Sequence, residues 1–324
     1  MRDMGYQKTV ADPIFICGLS FSGKTILHLM LSRHPNIVIT RHSSMWTRYY
    51  ERFGDLKRPE NLERCLSTML QSKHIQGFHP DINRIRREFN SGLKSYGRLF
   101  ALFHEHNAER LGKLRWGDQS SSLERYAAPI FAAYPDARII HMIRDPRDRF
   151  WATTRSLLSW KWKVGWETES WLSSLRLARL NHSHYPDKYK VLRYEALLSD
   201  PYKIINEICQ FINEDFDPEM LKLDLERQLD DEYDQERDSG KVLISNGRIT
   251  RRGRYRGTSK REIALIQAYA GHEMLTWEYL PESIELSLRD RLVYYLIDWP
   301  AGMVGMGVRH TWSTNLSAFS QMLA

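Results

Sequence analysis

Cysteine is scarce in this 324-residue chain, and its three copies form no pattern. Cys17, Cys65 and Cys209 are widely spaced, without a CxxC or Cys/His arrangement, so a disulfide framework and a zinc site are not expected and the thiols are read as reduced. Long hydrophobic runs are missing too. None approaches the ~18 residues of a membrane-crossing helix, and the opening MRDMGYQKTVADP is too polar for a secretory signal. The expectation is a cytoplasmic protein without a membrane span. There is no internal repeat and no low-complexity linker. Negative charge falls short of positive, with 40 acidic against 47 basic side chains and a formal net charge of +7. That excess favours an anionic partner, whether a phosphorylated cofactor, an acidic substrate, nucleic acid or a lipid surface, although solvated surface charge accounts for it equally well.

What is present is ordinary globular usage, 42% hydrophobic and 27% charged, in a chain long enough to bury a full core. PIFIC (13–17) is a continuous apolar run ending at a glycine, as a strand buried on both faces requires. KTILHLMLSRH then places Ile26, Leu27, Met30 and Leu31 on one helical stripe closed by His34-Pro35, and NIVIT (36–40) reads as a second strand. Residues 46–112 carry helical periodicity broken at 54–59, 77–80 and 92–97. KLRWGDQ (113–119) holds a third strand or its exit, with a helix expected over 123–134. ARIIHMI (137–143) is a clear strand running into the turn RDPRD and a further helix. Another helix is expected over 169–182, KYKVLRYE (188–195) is a strand, and Pro201 opens a helix at its favoured first position.

This alternation predicts an α/β fold: a three-layer α/β/α domain spanning 1–324, with a mainly parallel central sheet of about five strands. Its core is expected over about 13–280, with a helical excursion at 46–112 and a helical extension at 281–324. Residues 215–240 are acidic and 248–261 basic, as solvated faces usually are. The final LSLRDRLVYYLIDW is amphipathic and is expected to pack on the domain rather than on a membrane.

Between the first strand and helix stands GLSFSGKT (18–25), which satisfies the phosphate-loop pattern G-x-x-x-x-G-K-[ST]. Its glycines let backbone N–H groups converge, and the following helix aims its positive end at an anion. A nucleotide hydrolase would also hold magnesium, usually through an Asp ending a second apolar strand. Asp145 is the one candidate, and it stands among Arg144, Arg147 and Arg149, a turn suited to a second phosphate rather than to a metal.

On these segments the chain resembles the sulfotransferases that use 3′-phosphoadenosine 5′-phosphosulfate (PAPS), particularly the bacterial and tyrosyl-protein branches. PIFICGLSFSGKTILHLMLSRHPNI is similar to that family's first strand, 5′-phosphosulfate loop and helix. ARIIHMIRDPRDRFWATTRSL resembles its 3′-phosphate segment, and KYKVLRYEALLSDPYKIINEICQFI the strand and helix that follow. These cover residues 13–213, with a weaker echo in GRYRGTSKREIALI.

The resemblance implies that the loop from Ser20 and Phe21 through Ser22, Gly23, Lys24 and Thr25 to Ile26 surrounds the 5′ end of PAPS, with Lys24 neutralising the leaving oxygen. It implies that Arg144 binds the 3′-phosphate and that no metal is required. Where relatives carry a serine eight residues after that arginine this chain has Ala152, so Thr153 is the substitute, and Arg254 in GRYR can reach the cofactor from a late loop. The loop departs from the relatives' R-S-G-T-T, with Phe21 in place of arginine and Lys24 gained, and Gln119 stands where a second lysine is expected. Tyrosine-modifying relatives place a glutamate just past the second strand, and the equivalent count lands on His42, a competent base near neutral pH; Asp118 is the reserve. Trp160, Trp162, Trp166 and Trp171, with Trp46 and Trp116 near the expected mouth, could stack on a nucleobase or acceptor, although tryptophans at helical spacing are commonly core.

The function implied is transfer of a sulfuryl group from PAPS to an hydroxyl or amine on a small molecule, carbohydrate, lipid or peptide, releasing adenosine 3′,5′-bisphosphate. Two rivals stay open: a nucleotide-dependent kinase or NTPase using the loop lysine, and a catalytically silent nucleotide-binding protein. Nucleic acid is not an expected partner, because no base-stacking module accompanies RRGRYR.

Overall fold

The computed structural model describes residues 12–154, 162–222, 243–245, 248–250 and 257–322. Five strands, β1 (Ile14–Cys17), β2 (Ile37–Arg41), β3 (Arg115–Gln119), β4 (Arg138–Ile143) and β5 (Tyr189–Arg193), pair in the order β2-β3-β1-β4-β5. Every pairing is parallel. Parallel strands need crossovers, and these are α1 (Lys24–Ser32), α2 (Met45–Arg48), α3 (Pro59–Met69), α4 (Lys73–Gln76), α5 (Ile82–Ser91), α6 (Tyr96–Arg110), α7 (Ala127–Ala133), α8 (Pro146–Thr154) and α9 (Lys163–His184). After the sheet come α10 (Tyr194–Ser199), α11 (Pro201–Ile212), a short antiparallel pair β6 (Leu243–Ser245) and β7 (Arg248–Thr250), α12 (Lys260–Thr276), α13 (Leu288–Val293), a π turn (Tyr294–Asp298) and α14 (Trp299–Met322).

The alternation of side chains along β1 builds the layers. Phe15 and Cys17 face a core with Trp46, Phe100, Trp116 and Phe131, beneath the 46–112 excursion. Ile14 and Ile16 face the opposite core with Leu27, Met30 and Leu31 of α1 and Ile205 and Ile208 of α11. A third core joins Phe150, Trp171, Leu265 and Tyr294 across α8, α9, α12 and the π turn. There, α9 and α14 approach backbone to backbone: a Cβ on Gly165 would lie 1.8 Å from the Gly302 carbonyl oxygen.

Three local readings change. The helix expected over 123–134 is a 3-10 turn (Leu123–Tyr126) followed by α7. The helix expected over 169–182 extends across Lys163–His184. The RDPRD segment is a turn only as far as Asp145, because Pro146 opens α8 and so Arg147 and Arg149 lie in its first turns. Most of the acidic tract, and much of the basic one, falls outside the described residues.

Because the sheet is all parallel, the carboxyl ends of β1 to β5 share one edge. α1, leaving β1, covers one face, while α9, which follows β4, covers the other, where Ser174 bonds His141. Loops diverging from neighbouring strands leave the crevice in which open α/β sheets bind their ligands.

Candidate functional site

The loop after β1 is wound by three left-handed residues, Gly18 (φ 122°), Phe21 (φ 65°) and Gly23 (φ 91°). Two of them must be glycine. A Cβ on Gly18 would sit 2.3 Å from the Met142 carbonyl, and one on Gly23 would sit 2.1 Å from the Tyr194 ring. Phe21 tolerates the strained conformation because its carbonyl is held from outside, by Arg144 Nη1 at 3.1 Å. α1 starts at Lys24 with Gly23 as its N-cap and no side-chain cap bond, so its positive end and first amides face the loop. Lys24 is 1% exposed and donates from Nζ to Leu19 O at 2.6 Å. Arg41 at the end of β2 reaches the Thr25 hydroxyl at 3.5 Å.

Arg144 follows β4 and is fixed on several sides. Its guanidinium lies 4.6 Å from the centre of the Tyr194 ring, and its carbonyl accepts from Trp171 Nε1 at 2.9 Å. The next amide, Asp145 N, donates to Glu195 at 3.0 Å. The other two arginines differ from the sequence reading. Arg147 forks onto the Asp145 carboxylate at 3.0 and 2.8 Å, and Arg149 pairs with Glu167 at 2.8 Å while donating to Ser20 O. The turn is therefore less cationic than its composition suggests; Arg144 forms no direct ion pair among the described residues, although its charge is felt by the nearby Glu195 carboxyl.

Buried polar atoms without a hydrogen-bond partner mark three adjacent strand ends: Ser22 Oγ after β1, both amide atoms of Gln119 at the end of β3, and Arg144 Nε after β4. Unpaired buried groups each cost about 1–3 kcal/mol; others lie elsewhere, at Arg33, His106, Arg115 and Trp277 among them, and those at this edge stand beside the loop amides, where a polar ligand could satisfy them. The donors among them, Ser22 Oγ, Gln119 Nε2 and Arg144 Nε, suit the anionic ends of a phosphorylated nucleotide, together with the loop amides. The room between loop and turn is small as it stands: a cavity of about 10 Å³ bounded by Leu19, Ser22, Arg144, Arg149, Trp171 and others.

Beneath the loop, His141 bridges Tyr189 Oη (2.7 Å from Nδ1) and Ser174 Oγ (3.0 Å from Nε2). Burial holds its pKa below the ordinary value and pushes the Cys17 thiol up. Cys17, Glu124 and His141 bring possible ligand atoms within 4.8 Å of one another, a convergence that residue spacing did not show. Both imidazole nitrogens are engaged by hydroxyls, and the network works as a buttress for β1 and β4.

His42 lies just past β2 in a left-handed conformation (φ 55°), its amide donating to Gln119 O at 3.0 Å and its ring 5.4 Å from that of His74. It shares the carboxyl edge with the loop. Asp118, the reserve, is fully buried and accepts from Thr40 Oγ1 at 3.1 Å and Ser120 Oγ at 2.9 Å. Desolvation lifts its pKa to about 6 against the pull of these donors and of Ser43. Thr153 is buried in α8 with its hydroxyl on the Phe150 carbonyl at 2.7 Å. Arg254 and Trp160 lie outside the described residues.

Trp46 and Trp116 are not at the mouth. Both are buried, and both line a cavity of about 780 Å³ together with Pro13, Tyr96, Tyr134 and Asp136, toward the amino ends of β1 and β4. Trp162 and Trp166 pack edge to face, Trp166 meets Trp312 of α14, and Trp171 holds the Arg144 backbone, so these three serve the α9 layer. Sequence reasoning missed Tyr194, whose ring touches Gly23 and Arg144, and Glu195 beside it. The only available signal was their place just past a buried strand, beside the two recognised motifs.

Comparisons agree with this geometry at the level of the family. A model described as the Sulfotransferase family matches residues 13–218, more than half of the chain. No curated protein matches. Among solved structures, the sulfotransferase domain of the Synechococcus PCC 7002 olefin synthase aligns at 23% identity over 65% of this chain and 77% of that one, with a TM-score of 0.43. The sulfotransferase domain from the curacin biosynthetic pathway aligns at 17% over 65% and 77% (0.42), and sulfotransferase STF9 from Mycobacterium avium at 13% over 86% and 78% (0.44). With a family match running unbroken from β1 through α11, this chain belongs to the sulfotransferase family.

Proposed function

We propose that this protein transfers a sulfuryl group from PAPS to an hydroxyl or amine acceptor. The observation that carries the reading is the set of orphaned buried polar groups, Ser22 Oγ, the Gln119 amide and Arg144 Nε, on three adjacent strand ends beside the uncapped start of α1. PAPS, when bound, supplies the sulfuryl group and a nucleoside bisphosphate as leaving group. The chain's own part is to hold and neutralise it. Loop amides from Ser20 to Ile26 and the Ser22 hydroxyl hold the 5′ end, Lys24 turns from the Leu19 carbonyl toward the departing oxygen, and Arg144 holds the 3′-phosphate. His42 accepts the acceptor's proton. Thr153 assists only by releasing Phe150 O, and Arg254 completes the nucleotide contacts. Positioning and charge stabilisation supply most of the acceleration in such in-line transfers.

The kinase reading is less well supported. It needs Asp145 for magnesium, and both oxygens of that carboxylate are occupied by the Arg147 fork. The distinguishing experiment is thermal denaturation with adenosine 3′,5′-bisphosphate without magnesium, and with ATP plus magnesium. Stabilisation by the first alone is expected; a response to the second alone would overturn the proposal. Turnover of labelled PAPS over phenols, sugars, lipids and peptides then separates an enzyme from a silent nucleotide binder.

A further inference from the structure

The peptide joining Arg144 to Asp145 is gripped by side chains at both of its polar atoms. Its carbonyl accepts from Trp171 Nε1 of α9 at 2.9 Å, and its amide donates to Glu195 Oε1 of α10 at 3.0 Å. A peptide is a rigid plane, so two grips on opposite edges stop it turning and fix the direction in which the Arg144 side chain leaves the backbone. Desolvation raises the Glu195 pKa above its ordinary value, and the bonded Asp145 amide and the Arg144 cation are among the influences that draw it back.

The grip from α10 is itself held from further along the chain. Glu195 Oε2 accepts from Tyr279 Oη at 3.0 Å, and Tyr279, just past α12, is buried with its ring 6.3 Å from that of Trp171, so the two grips meet. Arg193, at the end of β5, secures the same segment. Its guanidinium lies 5.4 Å from the centre of the Tyr279 ring, donates to the Trp277 carbonyl at 3.2 Å and pairs with Glu278. A second link runs from α12 itself, where Gln267 accepts from Arg147 Nη1 at 2.8 Å. The segment matched by the family model ends at residue 218. Tyr279 therefore reaches the Arg144 turn from outside it.

We infer that Tyr279 is a positioning residue for the nucleotide's 3′-phosphate: acting through Glu195, it holds the Arg144–Asp145 peptide in the orientation that presents Arg144 to that group. The inference rests on the assignment of Arg144 to the 3′-phosphate. Titration calorimetry on the full chain compares adenosine 3′,5′-bisphosphate with adenosine 5′-phosphate, which lacks only the 3′ group. The parent should bind the bisphosphate more tightly. Tyr279→Phe removes one hydroxyl and keeps the ring against Trp171, so it should lower bisphosphate affinity about fivefold, the weight of one hydrogen bond, and leave affinity for adenosine 5′-phosphate unchanged. Glu195→Ala should show a larger loss of the same selective kind, and Glu195→Gln, which keeps an oxygen for the Asp145 amide, a smaller one. The phenylalanine variant retains the buried ring, so a fold defect in Glu195→Ala, read by circular dichroism, leaves the test intact. Undiminished bisphosphate affinity in Tyr279→Phe, or an equal fall for both nucleotides, overturns the inference while the Arg144 assignment stands. A parent that binds both nucleotides alike overturns that assignment and the inference with it.

Discussion

Arg144 Nη1 donates to the carbonyl of Phe21 at 3.1 Å, so the turn after β4 is fastened directly to the crest of the loop after β1. The bond joins the strand end proposed for the 3′-phosphate to the one proposed for the 5′ end. It also uses the loop's left-handed non-glycine residue as its acceptor, which gives the strained conformation of Phe21 a reason to persist.

Arg144→Ala removes the cation from the Tyr194 ring and the tether from the loop together. Affinity for adenosine 3′,5′-bisphosphate, measured by titration calorimetry, should fall about 10- to 100-fold, the usual weight of a charge-assisted contact. Arg144→Lys should recover only part of this, because one ammonium cannot serve the Phe21 carbonyl and a phosphate with the same fork. An unaltered affinity in the alanine variant would move the 3′ site elsewhere.

Gly23→Ala meets two obstacles at once: a φ of 91° and a ring carbon of Tyr194 at 2.1 Å from the new methyl. The expected cost is about 2–4 kcal/mol in urea denaturation, combining backbone strain with overpacking. Adding Tyr194→Ala relieves the second obstacle and not the first, so the double variant should be more stable than the sum of the single costs implies. Strict additivity would show that the ring does not press on the glycine.

Much of this was readable beforehand, for physical reasons. PIFIC and RIIHMI are nearly unbroken apolar runs because both faces of a central parallel strand are covered, and the loop's glycines stand where the backbone turns left-handed. Arg147 and Arg149 were misread because composition counts a charge without showing its partner. Asp145 lies next door and Glu167 arrives from α9, a helix whose angle of approach no periodicity encodes. Trp46 and Trp116 followed the same logic: their positions beside recognised strands were legible, while the choice between mouth and core was made by Phe100 and Tyr134, rings from distant elements. Tyr194 and Glu195 support both motifs from β5's end, a role visible only once β5 is known to lie beside β4.

His42→Ala tests the role proposed for this residue as base while sparing the proposed nucleotide contacts. General-base assistance is typically worth about 10²- to 10⁴-fold, so the sulfuryl-transfer rate at saturating PAPS should fall by at least about a hundredfold. The thermal shift given by adenosine 3′,5′-bisphosphate should be retained. An undiminished rate would pass the role to another group on the same edge.

Asp118 offers a pH signature separable from catalysis. Its carboxyl is fully buried, and desolvation lifts its pKa from 3.8 to about 6. The folded protein therefore holds the proton more tightly than the unfolded chain does, and the stability this contributes is complete below about pH 4 and is lost as pH rises through about 6. A shift of that size corresponds to about 3 kcal/mol. An asparagine in its place cannot ionise, so Asp118→Asn should lack this loss. Urea midpoints of parent and variant, compared between about pH 4 and 7, should diverge in the variant's favour as pH rises. Parallel profiles would mean that Thr40, Ser43 and Ser120 stabilise the carboxylate enough to cancel its burial.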